Sequence, residues 1–111
     1  MAKDDYQVIV FRILKYLYQQ LKKGEPVEAE MLGHDSKTCK VNEIYWRYII
    51  TSMQEEGLIR GLEIAQDQVD AESLEDQLGN IQITPKGIDM LSDSGVAEKV
   101  DNLLKGILSI G

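Results

Sequence analysis

Cysteine and histidine occur once each in this 111-residue chain, proline twice, and tryptophan and phenylalanine once each. A lone cysteine excludes an internal disulfide, so a reducing, cytoplasmic setting is the expectation. His34 and Cys39 stand five apart, but a structural zinc centre needs about four ligands, and no second histidine or cysteine exists to complete one. The expected roster of metals and cofactors is therefore empty. Also missing is any apolar run near the ~20 residues that cross a bilayer. The opening MAKDDYQV lacks the charged-then-apolar pattern of a signal peptide, so no membrane partner is expected. Gly61-Leu62-Glu63 fits no phosphate-cradling glycine pattern. Cys39 has no convincing base beyond His34, and a nucleophile needs one within an organised pocket. Nothing in the chain reads as an enzyme.

Positive charge is scarce in one half only. Residues 1–60 carry nine Lys/Arg against nine Asp/Glu, whereas residues 61–111 carry three against ten, which accounts for the whole net charge of −7. Phosphate neutralisation supplies most non-specific nucleic-acid affinity, so any such role must rest on the first half. Asp67, Asp70, Glu72, Glu75 and Asp76 lack the glycine and the spacing of a calcium-binding EF-hand loop. They read as a solvated acidic loop.

What is present is ordinary apolar content, 43 %, arranged with clear periodicity. Asp4 with Gln7 resembles a capping box, and Lys22-Lys23-Gly24 reads as a helix end. A helix over 4–23 fits between them, with Tyr6, Val10, Ile13, Leu14, Leu17 and Leu21 on one face. Its flanks, Ile9, Phe11, Tyr16 and Tyr18, widen the apolar arc beyond what one small core requires. A short helix is predicted over 26–33, with Pro26 in its first turn and Gly33 after its last. His34 to Lys40 reads as a polar, solvated loop. Asn42 can cap a third helix over 42–56 that Gly57 closes. The inward stripe of this helix is Trp46, Ile49, Ile50 and Met53, with Tyr45 at the edge. Its outward stripe is Glu43, Ile44, Arg47, Tyr48 and Thr51.

Strands are expected over 58–65 and 80–84. The 14 residues between them, 66–79, are too many for a tight hairpin; Val69, Leu74 and Leu78 are spaced for one helical turn. In IQITPKGIDML, residues 81–91, Ile81 and Ile83 alternate like a strand. Thr84 can then cap the next helix, Pro85 suits its first position, and Gly87 permits close approach to a neighbour. That helix spans 85–94. Val96, Val100, Leu103, Leu104, Ile107 and Leu108 mark an amphipathic final helix over 96–109.

The order of elements, with SMQEEGLIRGLEI at 52–64 and IQITPKGIDML at 81–91, resembles a winged helix-turn-helix. The chain is similar, over roughly residues 6–108, to the YjcQ-like family of small winged-helix proteins from bacteria and phages. This resemblance implies a single domain: mainly α, with a small antiparallel β-wing and an additional C-terminal helix. It makes 42–56 the candidate recognition helix and 66–79 the wing. It further implies double-stranded DNA as a partner, with Asn42, Arg47, Tyr48 and Thr51 reaching base edges or phosphates and Lys37 and Lys40 anchoring the backbone. Arg47 to guanine or Asn42 to adenine are the readouts that fit, and Ile44 suits a thymine methyl. A transcriptional regulator acting as a homodimer through the first and last helices is the leading expectation. The acidic wing favours the alternative, a winged-helix module that binds a protein and no DNA.

Overall fold

The computed structural model describes residues 6–63 and 74–92. The Asp4 cap, residues 64–65 of the strand expected over 58–65, the loop residues 66–73, positions 93–94 and the helix expected over 96–109 lie outside the described residues. No helix among the described residues is long and apolar enough to cross a membrane.

Helix α1 spans Tyr6–Lys23. Its buried side is Val8, Ile9, Val10, Ile13, Leu14, Leu17 and Gln20. This is the predicted face rotated slightly, with Tyr6 half-buried and Leu21 left 61 % exposed. The helix ends because Gly24 turns left-handed, at φ 72°. The Glu25 N–H then bonds back to the Gln20 carbonyl at 3.0 Å, and the Gly24 N–H to Leu21 at 3.1 Å. That pair of bonds satisfies carbonyls that the helix end would otherwise orphan.

The chain then runs extended along α1. Gln20 Nε2 donates to the Pro26 carbonyl at 2.8 Å, and the Glu28 N–H donates to the Tyr16 hydroxyl at 2.9 Å. The helix predicted over 26–33 is absent; only a 3₁₀ turn forms, Ala29–Met31, with no side-chain cap on Glu28. The Pro26 carbonyl, the first acceptor such a helix would use, is taken by Gln20 Nε2, and beyond the turn the Leu32 oxygen accepts from the Trp46 indole Nε1 at 2.8 Å and from Cys39 Sγ at 3.8 Å. The expectation of a solvated loop over 34–40 also requires correction. Ser36, Thr38 and Cys39 are buried, because the segment folds into tight turns whose Cys39 and Lys40 N–H groups bond to Ser36. Lys40 completes the turn with φ 49°.

Helix α2, Glu43–Glu55, buries the predicted stripe Trp46, Ile49, Ile50 and Met53 against α1. Asn42 caps it, its Oδ1 accepting from the Tyr45 N–H at 2.8 Å. At the other end Gly57, φ 79°, repeats the closure seen at α1: Leu58 N–H to Met53 O at 2.9 Å and Gly57 N–H to Gln54 O at 3.0 Å.

The strands are shorter than the 58–65 and 80–84 expected, since side-chain bonds from Gln54 and Gln77 replace the ladder at 62–63 and a 3₁₀ turn reaches Asn80. Strands β1, Ile59–Arg60, and β2, Gln82–Ile83, pair antiparallel with Ile59 opposite Ile83 and Arg60 opposite Gln82. The isoleucines face the core while Arg60 and Gln82 face solvent, as period-two alternation requires. Side chains hold the ends of this ribbon. Gln54 both donates to the Leu62 carbonyl and accepts from its N–H, each at 2.8 Å. Gln77 does the same to Glu63, at 3.1 and 2.6 Å. Leu74 and Leu78 are buried beneath, and a 3₁₀ turn, Leu78–Asn80, leads into β2.

Helix α3, Pro85–Ser92, starts without a spacer. The Gly87 N–H donates to Thr84 Oγ1 at 3.1 Å and the Ile88 N–H to Thr84 O at 3.0 Å. The described fold is thus mainly α, with a small two-stranded antiparallel sheet in winged-helix-like order. A Cβ on Gly87 would collide with the Leu58 carbonyl and come within 2.8 Å of the Ile83 side chain. Overpacking of this kind costs about 1–3 kcal/mol. Gly87→Ala is expected to lower the urea midpoint accordingly; a midpoint equal to that of the parent protein would refute the close approach.

Candidate nucleic-acid interface

Helix α2 turns its non-core side outward, and what stands there follows from helical spacing. Ile44 and Tyr48, one turn apart, are 77 % and 62 % exposed. Glu43 is exposed beside them. The Tyr6 ring of α1 lies edge-on to Tyr48, with centroids 6.2 Å apart at 66°. Burial and then the nearby Glu56 carboxylate raise the Tyr6 phenol above its ordinary value, with a Ser52 hydrogen bond opposing them. Tyr6 therefore belongs partly to this face, whereas its spacing alone had assigned it to the core stripe of α1.

The remaining candidates are held less freely. Asn42 Oδ1 is engaged by the helix cap. Thr51 Oγ1 donates back to the Arg47 carbonyl at 2.8 Å, with Tyr48 O at 3.2 Å, the local bonding that mid-helix threonines favour. Arg47 is only partly exposed, and its Nε is enclosed with no hydrogen-bond partner among the described residues. Lys37 and Lys40 are exposed on the turns that lead into α2. Lys40 also lines a shallow cleft of about 490 Å³ with Asp35, Val41, Asn42 and Tyr45. The structure thus brings Lys40 and Asn42 together at the cleft beside the start of α2 and leaves Ile44 and Tyr48 exposed along that helix. Thr51 and the Nε of Arg47 are turned toward the protein itself.

His34 and Cys39 do not meet as a pair. His34 stacks edge-on to Trp46 at 6.4 Å, its Nδ1 lies 3.3 Å from the Val41 carbonyl, and Cys39 Sγ points to Leu32 O. Burial pushes the Cys39 thiol up from 9.0 to about 11, opposed by a Ser36 hydrogen bond and the charge of Arg12.

The family model described as YjcQ protein matches residues 11–110. The chain belongs to the YjcQ family. Comparison with curated proteins and with solved structures returns no match. Family membership does not by itself assign an activity, nor does the fold.

Two measurements check the local chemistry. Asn42→Ala is expected to cost about 1 kcal/mol through loss of the α2 cap, while Asn42→Ser retains nearly all stability; equal losses in urea titrations of the two would contradict the cap. The folded state holds Cys39 neutral, so the stability this contributes is complete below pH 9 and declines as pH rises toward about 11. A thiol reagent at pH 8 should therefore label the protein only as fast as it opens. Labelling at the rate of a free thiol would contradict the burial.

Proposed function

We propose that this YjcQ family member is a DNA-binding winged-helix protein, a transcriptional regulator that acts as a homodimer and presents α2 to the major groove. The observation that carries the reading is the exposed N-terminal half of α2, with Ile44 and Tyr48 uncovered, Arg47 partly exposed on the helix, and Lys37 and Lys40 exposed on the turns that lead into it. An α-helix fits the major groove, and residues near its N-terminus meet base edges. Lys37 and Lys40 are the phosphate anchors. Arg47 is the guanine reader, its terminal nitrogens supplying the bidentate fork. Ile44 offers an apolar contact to a thymine methyl, and Tyr48 a hydroxyl to the backbone. Asn42, with Oδ1 committed to the cap, contributes less than its position suggests. Thr51 contributes less for the same reason.

Three cations per protomer set a modest electrostatic contribution. Log affinity for duplex DNA is expected to fall against log salt with a slope of about −3 per protomer, at roughly 0.9 per phosphate contact. Joint replacement of Lys37 and Lys40 by alanine should flatten that slope by about two units. Arg47→Ala should weaken a selected site about tenfold. Fluorescence anisotropy with a mixed-sequence duplex and with a duplex recovered by selection reads both quantities. Retention no greater than that of an unrelated acidic protein at low salt would overturn the proposal.

A second reading draws on a specific observation. Among the described residues, two of the three large exposed hydrophobic residues, Ile44 and Tyr48, stand one turn apart on α2, near Glu43, and exposed apolar patches mark protein contacts. A protein-binding module on the same scaffold predicts no duplex affinity. It further predicts a partner whose capture is lost with Ile44→Asp while the Lys37 and Lys40 replacements leave it unchanged.

A further inference from the structure

Away from α2, a groove of about 590 Å³ runs beside β2. It is lined by residues 79–83 and Arg60 from the ribbon and its approach, by Glu25, Pro26 and Val27 from the extended segment, and by Leu17 and Leu21 of α1. The polarity of the β2 backbone determines what this groove offers. The Thr84 N–H bonds to the Leu58 carbonyl at 3.1 Å. In a ladder that places Ile59 opposite Ile83, the hydrogen-bonded pairs are then 58/84 and 60/82. Antiparallel strands alternate hydrogen-bonded and non-hydrogen-bonded pairs. The N–H and C=O of Ile83 therefore point away from β1, toward the edge of the sheet.

Nothing among the described residues takes up that edge. The sheet has two strands only, and no backbone bond joins residues 25–28 to 79–84. Segment 25–28 is itself tied elsewhere, to Gln20 and Tyr16. An edge that presents unpaired amide groups is a template for another strand. We propose that the open edge of β2 is a docking site for an extended peptide segment of a partner protein, added as a third strand between β2 and Glu25–Val27.

The groove specifies the chemistry of that segment. Main-chain N–H and C=O groups pair with Ile83, and an alternate apolar side chain, valine or leucine, rests on Leu17, Leu21 and Val27. Glu25 and Arg60, both lining the groove, complement a strand that carries one base and one acid. Leu21 gains a cover that it otherwise lacks. None of the residues lining this groove belongs to the outward face of α2, so the site does not depend on the DNA reading.

The test uses the peptide acetyl-Lys-Thr-Val-Thr-Leu-Thr-Glu-amide as probe and nitrogen-15 amide spectra of the full chain as readout. The expected result is a saturable shift centred on Ile83 and Gln82, with slowed solvent exchange of the Ile83 amide. A version of the peptide N-methylated at alternate residues should bind at least about tenfold more weakly, because it lacks the donors a ladder needs. Leu21→Arg, at a position already exposed, should weaken binding by a similar factor while leaving the free protein's spectrum otherwise intact. Absence of shifts at millimolar peptide would overturn the site, as would shifts centred on Ile44 and Tyr48 or binding indifferent to N-methylation. Ile83 protection that rises with protein concentration without peptide would overturn it too, since a second copy would then be the occupant.

Discussion

One hydroxyl group joins three parts of this protein. Thr84 Oγ1 accepts from the Gly87 N–H, which starts α3, and donates to the Gly57 carbonyl, which lies where α2 gives way to β1. The same residue's N–H pairs with Leu58 and closes the ladder. Lys86 adds a 2.7 Å bond from Nζ to the Glu56 carbonyl, placing a cation at the negative end of α2. The end of the presented helix, the start of the ribbon and the start of α3 are thereby fixed by neighbouring bonds from residues 84–87. With Gly87 able to lie against Leu58, there is no slack in which α2 can tilt independently of the sheet. The orientation of the outward α2 face is set at this junction, some three turns away from Ile44.

How far the sequence could be read depended on where each element's decisive partner lies. The inward stripe of α2 and the Thr84-Pro85-Lys86-Gly87 junction were legible because capping and spacing act over a few residues. The segment 26–33 was not, since the first carbonyl its helix would use, that of Pro26, is taken by the Gln20 side chain of α1. The turns at 34–40 look hydrophilic, yet Ser36 and Cys39 satisfy one another's polar groups locally and so bury at little cost. At the candidate site, exposure of Ile44, Tyr48, Lys37 and Lys40 followed from position alone. Which polar groups stay available did not. Asn42 was readable both as a cap and as a base reader, and its Oδ1 serves the cap. Thr51 bonds its own helix, which no spacing rule distinguishes from a group held out for a ligand.

Charge and shape are distributed separately in this chain. The balanced charge of residues 1–60 lies on the half that includes α2, while the acidic excess begins at residue 61. An acidic second half lowers non-specific attraction to polyanions and raises the share of any recognition that must come from contacts at α2 itself. Arg47 fits that picture, since a guanidinium whose Nε is already enclosed loses less hydration on contact and has fewer orientations available to it.

The paired glutamines at the foot of the ribbon carry a consequence of another kind. Gln54 and Gln77 each grip a backbone amide and carbonyl, at Leu62 and Glu63, so the two stems keep their spacing irrespective of what connects them. Lengthening a connection between fixed ends adds only about 0.6 kcal/mol per doubling. The ribbon is in this sense a socket, its stems held by side-chain to main-chain bonds whose partners all lie outside the connecting residues 64–73.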